Sequence, residues 1–237
     1  MMTCRSIRFC VSSPACGAGS LRTLATIALI AWATMSASWA HADRLAGAAL
    51  AQKGAKGTPA CMACHGANGE GQTASGFPRL AGQPEAYLLK QLQAFAGGQR
   101  KNPQMAPIAS ALNAQQMRDA ADYYASLPGW RPQGQTRASS PQYALGRRLA
   151  TSGNWSKDVP ACFACHGPGG AGVAPHFPAL AGQPSAYTRS QMKAWQTAGR
   201  TNDPQGLMQS VAEKMTDAEF DAVSLYLENP SLGGKGK

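Results

Sequence analysis

The chain has 237 residues, with 22 lysines and arginines against 12 acidic residues and a formal net charge of +10. These basic residues form no dense run and do not alternate with aromatic residues, so the composition excludes a nucleic-acid-binding protein. A modest positive surface instead suits transient docking on acidic partners or on an anionic membrane face.

Residues 1–42 have the order of a secretory signal. Three arginines and no acidic residue occupy this segment, an apolar stretch covers 24–33, and small residues follow up to Ala42. We predict cleavage after Ala40 or Ala42, which lowers the net charge from +10 to +7 and removes three of the seven cysteines. An uncleaved anchor is the alternative, but the apolar stretch is too short and too interrupted by polar residues to span a bilayer.

The mature chain begins with a predicted helix over residues 43–56, and a Cys-x-x-Cys-His motif follows at 61–65 and recurs at 162–166. Two cysteines on one helical turn point their sulfurs the same way, so both can bond to the vinyl groups of one porphyrin. This spacing is typical of haem c attachment, and the adjacent histidine becomes the proximal iron ligand. The prediction is two covalently bound haem c groups, with thioethers at Cys61, Cys64, Cys162 and Cys165 and proximal ligands at His65 and His166.

Three other uses of the four motif cysteines fit the pattern less well. A zinc site usually draws further ligands from a separate turn, whereas each histidine here is adjacent to a cysteine. A thioredoxin-like dithiol needs a βαβ setting, and the sequence has no β-rich runs. A disulfide framework suits an exported protein and is the third alternative.

A segment of the pattern FPxLAGQP follows each motif. A metal-ligating histidine usually donates its second ring N–H to a carbonyl or carboxylate, which fixes its tautomer. We expect the backbone carbonyls of Pro78 and Pro178 to accept these bonds; the alternative is that each proline only shapes a turn. The last proline of each segment, Pro84 or Pro184, is expected in the first turn of a helix.

Methionines are the expected distal iron ligands. Met105 and Met208 are the only methionines that face each other when the two halves are aligned, and both are predicted in loops before the last helix of their half. The alternative is that such a methionine only packs. Met117, Met192 and Met215 align with large apolar residues, so we expect them in the core.

The two halves are separated by a stretch rich in proline and glycine, which indicates a linker at 129–140. Each half closes with another predicted helix, begun by Asn113 in the first and by a capping box at Thr216 in the second. No segment alternates like a strand, so the predicted class is all-α. We predict domains at 43–128 and 141–237, each wrapped around one haem that supplements a core of marginal size.

With both motifs, both FPxLAGQP segments and both aligned methionines, residues 43–237 resemble a dihaem class I c-type cytochrome, and most of all the cytochrome c4 family. The resemblance implies two tandem class I cytochrome c domains packed face to face, His/Met ligation at each iron and propionate edges near the interface. It also implies that the first and last helices of each domain cross at a small residue and an aromatic one. Gly47 with Tyr123, and Gly146 with Tyr226, match those positions.

These features predict a periplasmic electron-transfer protein and not an enzyme, because filled axial positions leave no place for a substrate. We expect it to pass single electrons from a donor of quinol–cytochrome c reductase or dehydrogenase type to a terminal oxidase or another acceptor. One alternative is an electron-accepting subunit held to a flavoprotein or dehydrogenase. Another is a dihaem enzyme of peroxidase or sulfur-oxidising type with one open iron.

Overall fold

The computed structural model describes residues 44–132, 140–203 and 205–230. The predicted signal at 1–42 and most of the predicted linker at 129–140 lie outside these ranges. Within them the regular secondary structure is helical apart from isolated β-bridges, and the all-α prediction is confirmed. Helix α1 spans residues 44–53. The other helices are α2 Met62–His65, α3 Glu85–Ala96, α4 Met105–Ala111, α5 Ala114–Ser126, α6 Pro141–Ser152, α7 Cys162–His166, α8 Ser185–Gln196, α9 Leu207–Lys214 and α10 Asp217–Glu228, with 3-10 turns at Trp155–Lys157 and Pro168–Gly170.

Local capping sets most of the helix boundaries. Asn113 and Thr216 each accept the backbone N–H three residues on, and the side chain at that position reaches back, so α5 and α10 begin with capping boxes. Pro84 and Pro184 stand just before α3 and α8, not in their first turns, because both have an extended ψ near 132°. Helix α1 is shorter than predicted because Gly54, with a φ of +72°, turns the chain away at its end.

The first and last helices of each repeat cross at a glycine. A β-carbon on Gly47 would lie 2.1 Å from a carbonyl oxygen of α5, and one on Gly146 would lie 2.0 Å from a carbonyl oxygen of α10. Tyr123 and Tyr226 stand at these crossings. Their β-carbons lie 2.7 and 2.9 Å from the positions that a β-carbon on Gly47 and on Gly146 would occupy. The helix backbones can approach this closely only because both glycines lack a side chain.

Each repeat has its own apolar core, formed where the crossing helices meet the middle helix. Met117, Met192 and Met215 are buried in these cores, as their alignment with large apolar residues predicts. In the part of the chain that the structure describes, no helix has the length and apolar character to cross a membrane. Both repeats belong to one compact unit.

We expect Gly146→Ala to destabilise the second repeat by about 2–4 kcal/mol, because the new methyl group overlaps a carbonyl oxygen and forces α6 away from α10. Urea unfolding followed by circular dichroism measures this loss. Gly199→Ala is the matched control, since its β-carbon would meet nothing closer than 3.5 Å. Equal losses in the two variants would contradict the close crossing.

Candidate functional site

The motif histidines are held by the loops that follow them. His65 ends α2 and His166 ends α7, and both side chains are buried. The Nδ1 atom of His65 lies 2.9 Å from the carbonyl oxygen of Pro78, and that of His166 lies 2.8 Å from the carbonyl oxygen of Pro178. These two carbonyls are the ones that the sequence singles out.

The hydrogen bond to a carbonyl fixes the form of each imidazole. A carbonyl oxygen only accepts, so Nδ1 must carry the proton and Nε2 keeps its lone pair. Burial lowers the pKa of His65 and of His166 below the ordinary value, and the proline carbonyl opposes this only in part. Both rings are therefore neutral near pH 7, with Nε2 ready to bind a metal.

The motif cysteines are unpaired in the structure. The Sγ atom of Cys61 lies 3.9 Å from the carbonyl oxygen of Leu50, and that of Cys162 lies 3.8 Å from the carbonyl oxygen of Leu149. Burial raises the pKa of the Cys162 thiol to about 11 and raises that of Cys61 in the same direction. The first sulfur of each motif thus faces the core of its repeat in a neutral form.

Met105 and Met208 lie at the starts of helices, so the prediction that they lie in loops is wrong. Met105 is the first residue of α4 and Met208 the second of α9. Asn102 Oδ1 accepts the backbone N–H of Met105 at 2.8 Å, and Asp203 Oδ2 accepts that of Met208 at 2.5 Å. These side chains satisfy amides that a helix start leaves free, which is why the chain becomes helical at the methionines. Both methionine side chains are half-buried.

The FPxLAGQ segments of the two repeats meet each other. The side chain of Gln83 accepts the N–H of Ala179 at 2.9 Å and donates to its carbonyl at 2.8 Å. The side chain of Gln183 does the same with the backbone of Arg79, at 3.0 and 2.8 Å. This reciprocal pairing relates the repeats by an approximate twofold axis, as in an isologous dimer.

A second polar cluster at the same contact contains Arg100 and Arg200, both buried. Arg100 donates to the hydroxyl of Tyr187 at 2.7 Å, and Arg200 donates to the hydroxyl of Tyr87 at 3.2 Å. The guanidinium of Arg200 also lies 3.9 Å from the centre of the Trp195 ring. Both arginines donate to the side-chain oxygens of Gln91 and Gln191.

Sequence reasoning missed the residues of this contact. Gln83 and Gln183 occupy the same position of the two repeats, as do Arg100 and Arg200. Identity at matching positions was the available signal, but it does not distinguish a residue that serves its own haem from one that binds the other repeat. Only the folded arrangement separates the two roles.

The residues present fit haem c. Each histidine offers a free Nε2 beside two unpaired cysteines. No carboxylate among the described residues lies within ion-pair distance of the buried Arg100 or Arg200. Haem propionates would supply such anions. Buried polar atoms without a hydrogen-bond partner, including the Trp195 ring nitrogen, also indicate a missing polar group.

Comparisons with known proteins agree with this chemistry. The cytochrome c family model matches the chain twice, over residues 45–128 and 144–231. A thiosulfate dehydrogenase electron acceptor from Thiomonas intermedia is 45% identical over 205 residues, which cover 86% of this chain and 88% of that protein. Cytochrome c4 from Thiocapsa roseopersicina is 41% identical over 180 residues, or 75% of this chain and 90% of that protein.

Solved structures give the same result. Reduced cytochrome c4 from Pseudomonas stutzeri has a TM-score of 0.65 at 36% identity, covering 71% of this chain and 92% of that one. A thiosulfate dehydrogenase structure from Marichromatium purpuratum has a TM-score of 0.71 at 39% identity; it covers 79% of this chain, which spans only 40% of that larger protein. The chain therefore belongs to the cytochrome c family, as a dihaem electron-transfer protein of the cytochrome c4 type with two covalently bound haem c groups.

Proposed function

We propose that this protein accepts single electrons from a thiosulfate dehydrogenase in the periplasm and passes them to a terminal oxidase or another acceptor. The observation that carries the choice of donor is the 45% identity, over most of both chains, to a thiosulfate dehydrogenase electron acceptor. A second such relative, from Stutzerimonas stutzeri, is 44% identical over 172 residues. Electron transfer itself is proposed to use the pair of matching histidine sites.

Each matching site is proposed to use the same set of side chains. The motif cysteines form the thioethers, His65 and His166 are the proximal ligands, and Met105 and Met208 are the distal ligands. The Pro78 and Pro178 carbonyls keep each imidazole in the Nδ1–H tautomer and raise its basicity. Asn102 and Asp203 hold the methionine helices in place by capping them.

Each haem, when bound, supplies a one-electron ferric/ferrous couple. Methionine sulfur on one face and histidine nitrogen on the other would leave no axial position for a small substrate, which favours electron transfer over catalysis. A thioether ligand also raises the reduction potential. The direct contact between the two FPxLAGQ segments lets an electron that enters at one repeat leave at the other.

A second candidate is a free shuttle between a quinol–cytochrome c reductase and a terminal oxidase. The relatives named cytochrome c4, at 41% identity and below, favour it. It would use the same residues and the same pair of sites. The two candidates therefore differ only in the protein that donates the electron.

Replacing both Cys61 and Cys64 by alanine is expected to remove one covalently bound haem and leave the other. The intact mass of the purified denatured chain, measured by mass spectrometry, should fall by one haem in addition to the lost sulfurs. The matching double variant of Cys162 and Cys165 should give the same loss. Retention of two haems by either variant would contradict the assignment.

Met105→Ala and Met208→Ala are each expected to leave one iron high-spin and able to bind carbon monoxide. The ferric near-infrared band of sulfur-to-iron ligation should fall from two equivalents per chain to one. Met117→Leu is the matched control, since that methionine is buried in the core and should keep both equivalents. A full band in either alanine variant would remove that methionine from the ligand set.

The donor is tested by mixing the oxidised holoprotein with thiosulfate and a purified thiosulfate dehydrogenase in a stopped-flow instrument. We expect haem reduction that depends on both, and that slows as salt screens the basic surface of this protein. Quinol with a purified quinol–cytochrome c reductase forms the second arm. Fast reduction in that arm alone would favour the free shuttle instead.

A further inference from the structure

The contact between the FPxLAGQ segments is symmetric except at one position. Gln83 and Gln183 make equivalent bonds, and the backbones of residues 79 and 179 receive them equivalently. The side chains at these two backbone positions differ, because the first repeat has Arg79 where the second has Ala179. The reciprocal glutamine bonds use only the backbone at these positions, so they do not require the side chains to differ.

The guanidinium of Arg79 bridges the two repeats. One of its terminal nitrogens donates to the carbonyl of Ala81, and the other donates to the carbonyl of Ala181 at 2.9 Å. Ala81 and Ala181 are matching residues, so the guanidinium lies at the approximate twofold axis. An arginine at position 179 would reach for the same two carbonyls, and the axis offers them to only one side chain. Alanine at position 179 leaves both carbonyls to Arg79.

The positive charge of Arg79 is isolated from protein anions. The residue is only 5% exposed, and no carboxylate within the described ranges lies at ion-pair distance from it. Its Nε atom is buried without a partner. Burying a charge in this way is costly, and two carbonyl oxygens offset the cost only in part.

The same charge stands in an equivalent relation to both histidine sites. Ala81 follows Pro78 by three residues, and Ala181 follows Pro178 by three. Those two prolines accept the hydrogen bonds of the proximal histidines. A cation at this place acts on both sites through a medium of low polarity, where charge interactions are weakly screened.

We propose that Arg79 is a positioning residue shared by both haem sites: its guanidinium fixes the two repeats about their axis, and its charge favours the ferrous state at both irons. Reduction adds one negative charge to each site, so a nearby fixed cation stabilises the reduced form. One arginine thereby raises the reduction potential of both haems.

The test measures the two midpoint potentials of the holoprotein by spectroelectrochemistry in a set of variants. Arg79→Ala should lower the ferrous-to-ferric ratio at a fixed potential by roughly threefold or more at both haems. Arg79→Lys keeps the charge and should stay near the wild type in both potentials, while urea unfolding detects its weaker bridge. Arg131→Ala, at an exposed arginine, is the control and should change neither.

The exchange variant Arg79→Ala with Ala179→Arg tests the symmetry directly, since an arginine from the second repeat should reach the same two carbonyls and restore both potentials. The proposal is overturned if Arg79→Ala changes the midpoint potential of one haem only, or of neither. It is also overturned if Arg79→Lys lowers the two midpoint potentials as much as Arg79→Ala does, because the charge would then not be the cause. If the exchange variant fails to fold, the single variants still decide.

Discussion

The hydrogen bond from each motif histidine to a proline carbonyl is the contact on which the remaining arrangement depends. It joins the end of a motif helix to the FPxLAGQ segment that follows, through His65 with Pro78 and His166 with Pro178. The same segment then forms the contact between the repeats. The orientation of each imidazole and the placement of the second repeat are therefore set by one short stretch of backbone.

The duplication has kept the residues that we propose as iron ligands and varied the residues around them. Both repeats retain the motif, the proline carbonyl and a methionine in the first turn of a short helix. The caps of those helices differ, because a neutral Asn102 precedes Met105 whereas a carboxylate, Asp203, precedes Met208. Two sites with matching sets of proposed ligands thus have different electrostatic surroundings.

Much of the fold could be predicted because its causes are local. The motif spacing and the capping residues at Asn113 and Thr216 act through neighbours in sequence. The crossing glycines Gly47 and Gly146 were instead predicted from the resemblance to class I cytochromes c, since their partners lie far away in the sequence. Alignment of the repeats also separated the core residues Met117, Met192 and Met215 from the two methionines that face each other.

The rest depended on contacts between distant residues. The bond between Gln83 and the backbone of Ala179 joins residues 96 positions apart, and no periodicity in the sequence reports it. The helical start at Met208 was missed for a related reason, since Asp203 reaches five residues ahead to cap it. Buried arginines escaped notice because arginine is ordinarily a surface residue.

The polar composition of the contact between the repeats determines how strictly their relative position is fixed. Amide groups, guanidinium groups and backbone carbonyls dominate it, and each bond depends on direction more than on area. Such a contact fixes the relative orientation of the two repeats more than it adds to their binding energy, because a slip of one residue would break all of the reciprocal bonds together. Electron tunnelling falls steeply with separation, so a coupling that tolerates only one register keeps the transfer distance constant.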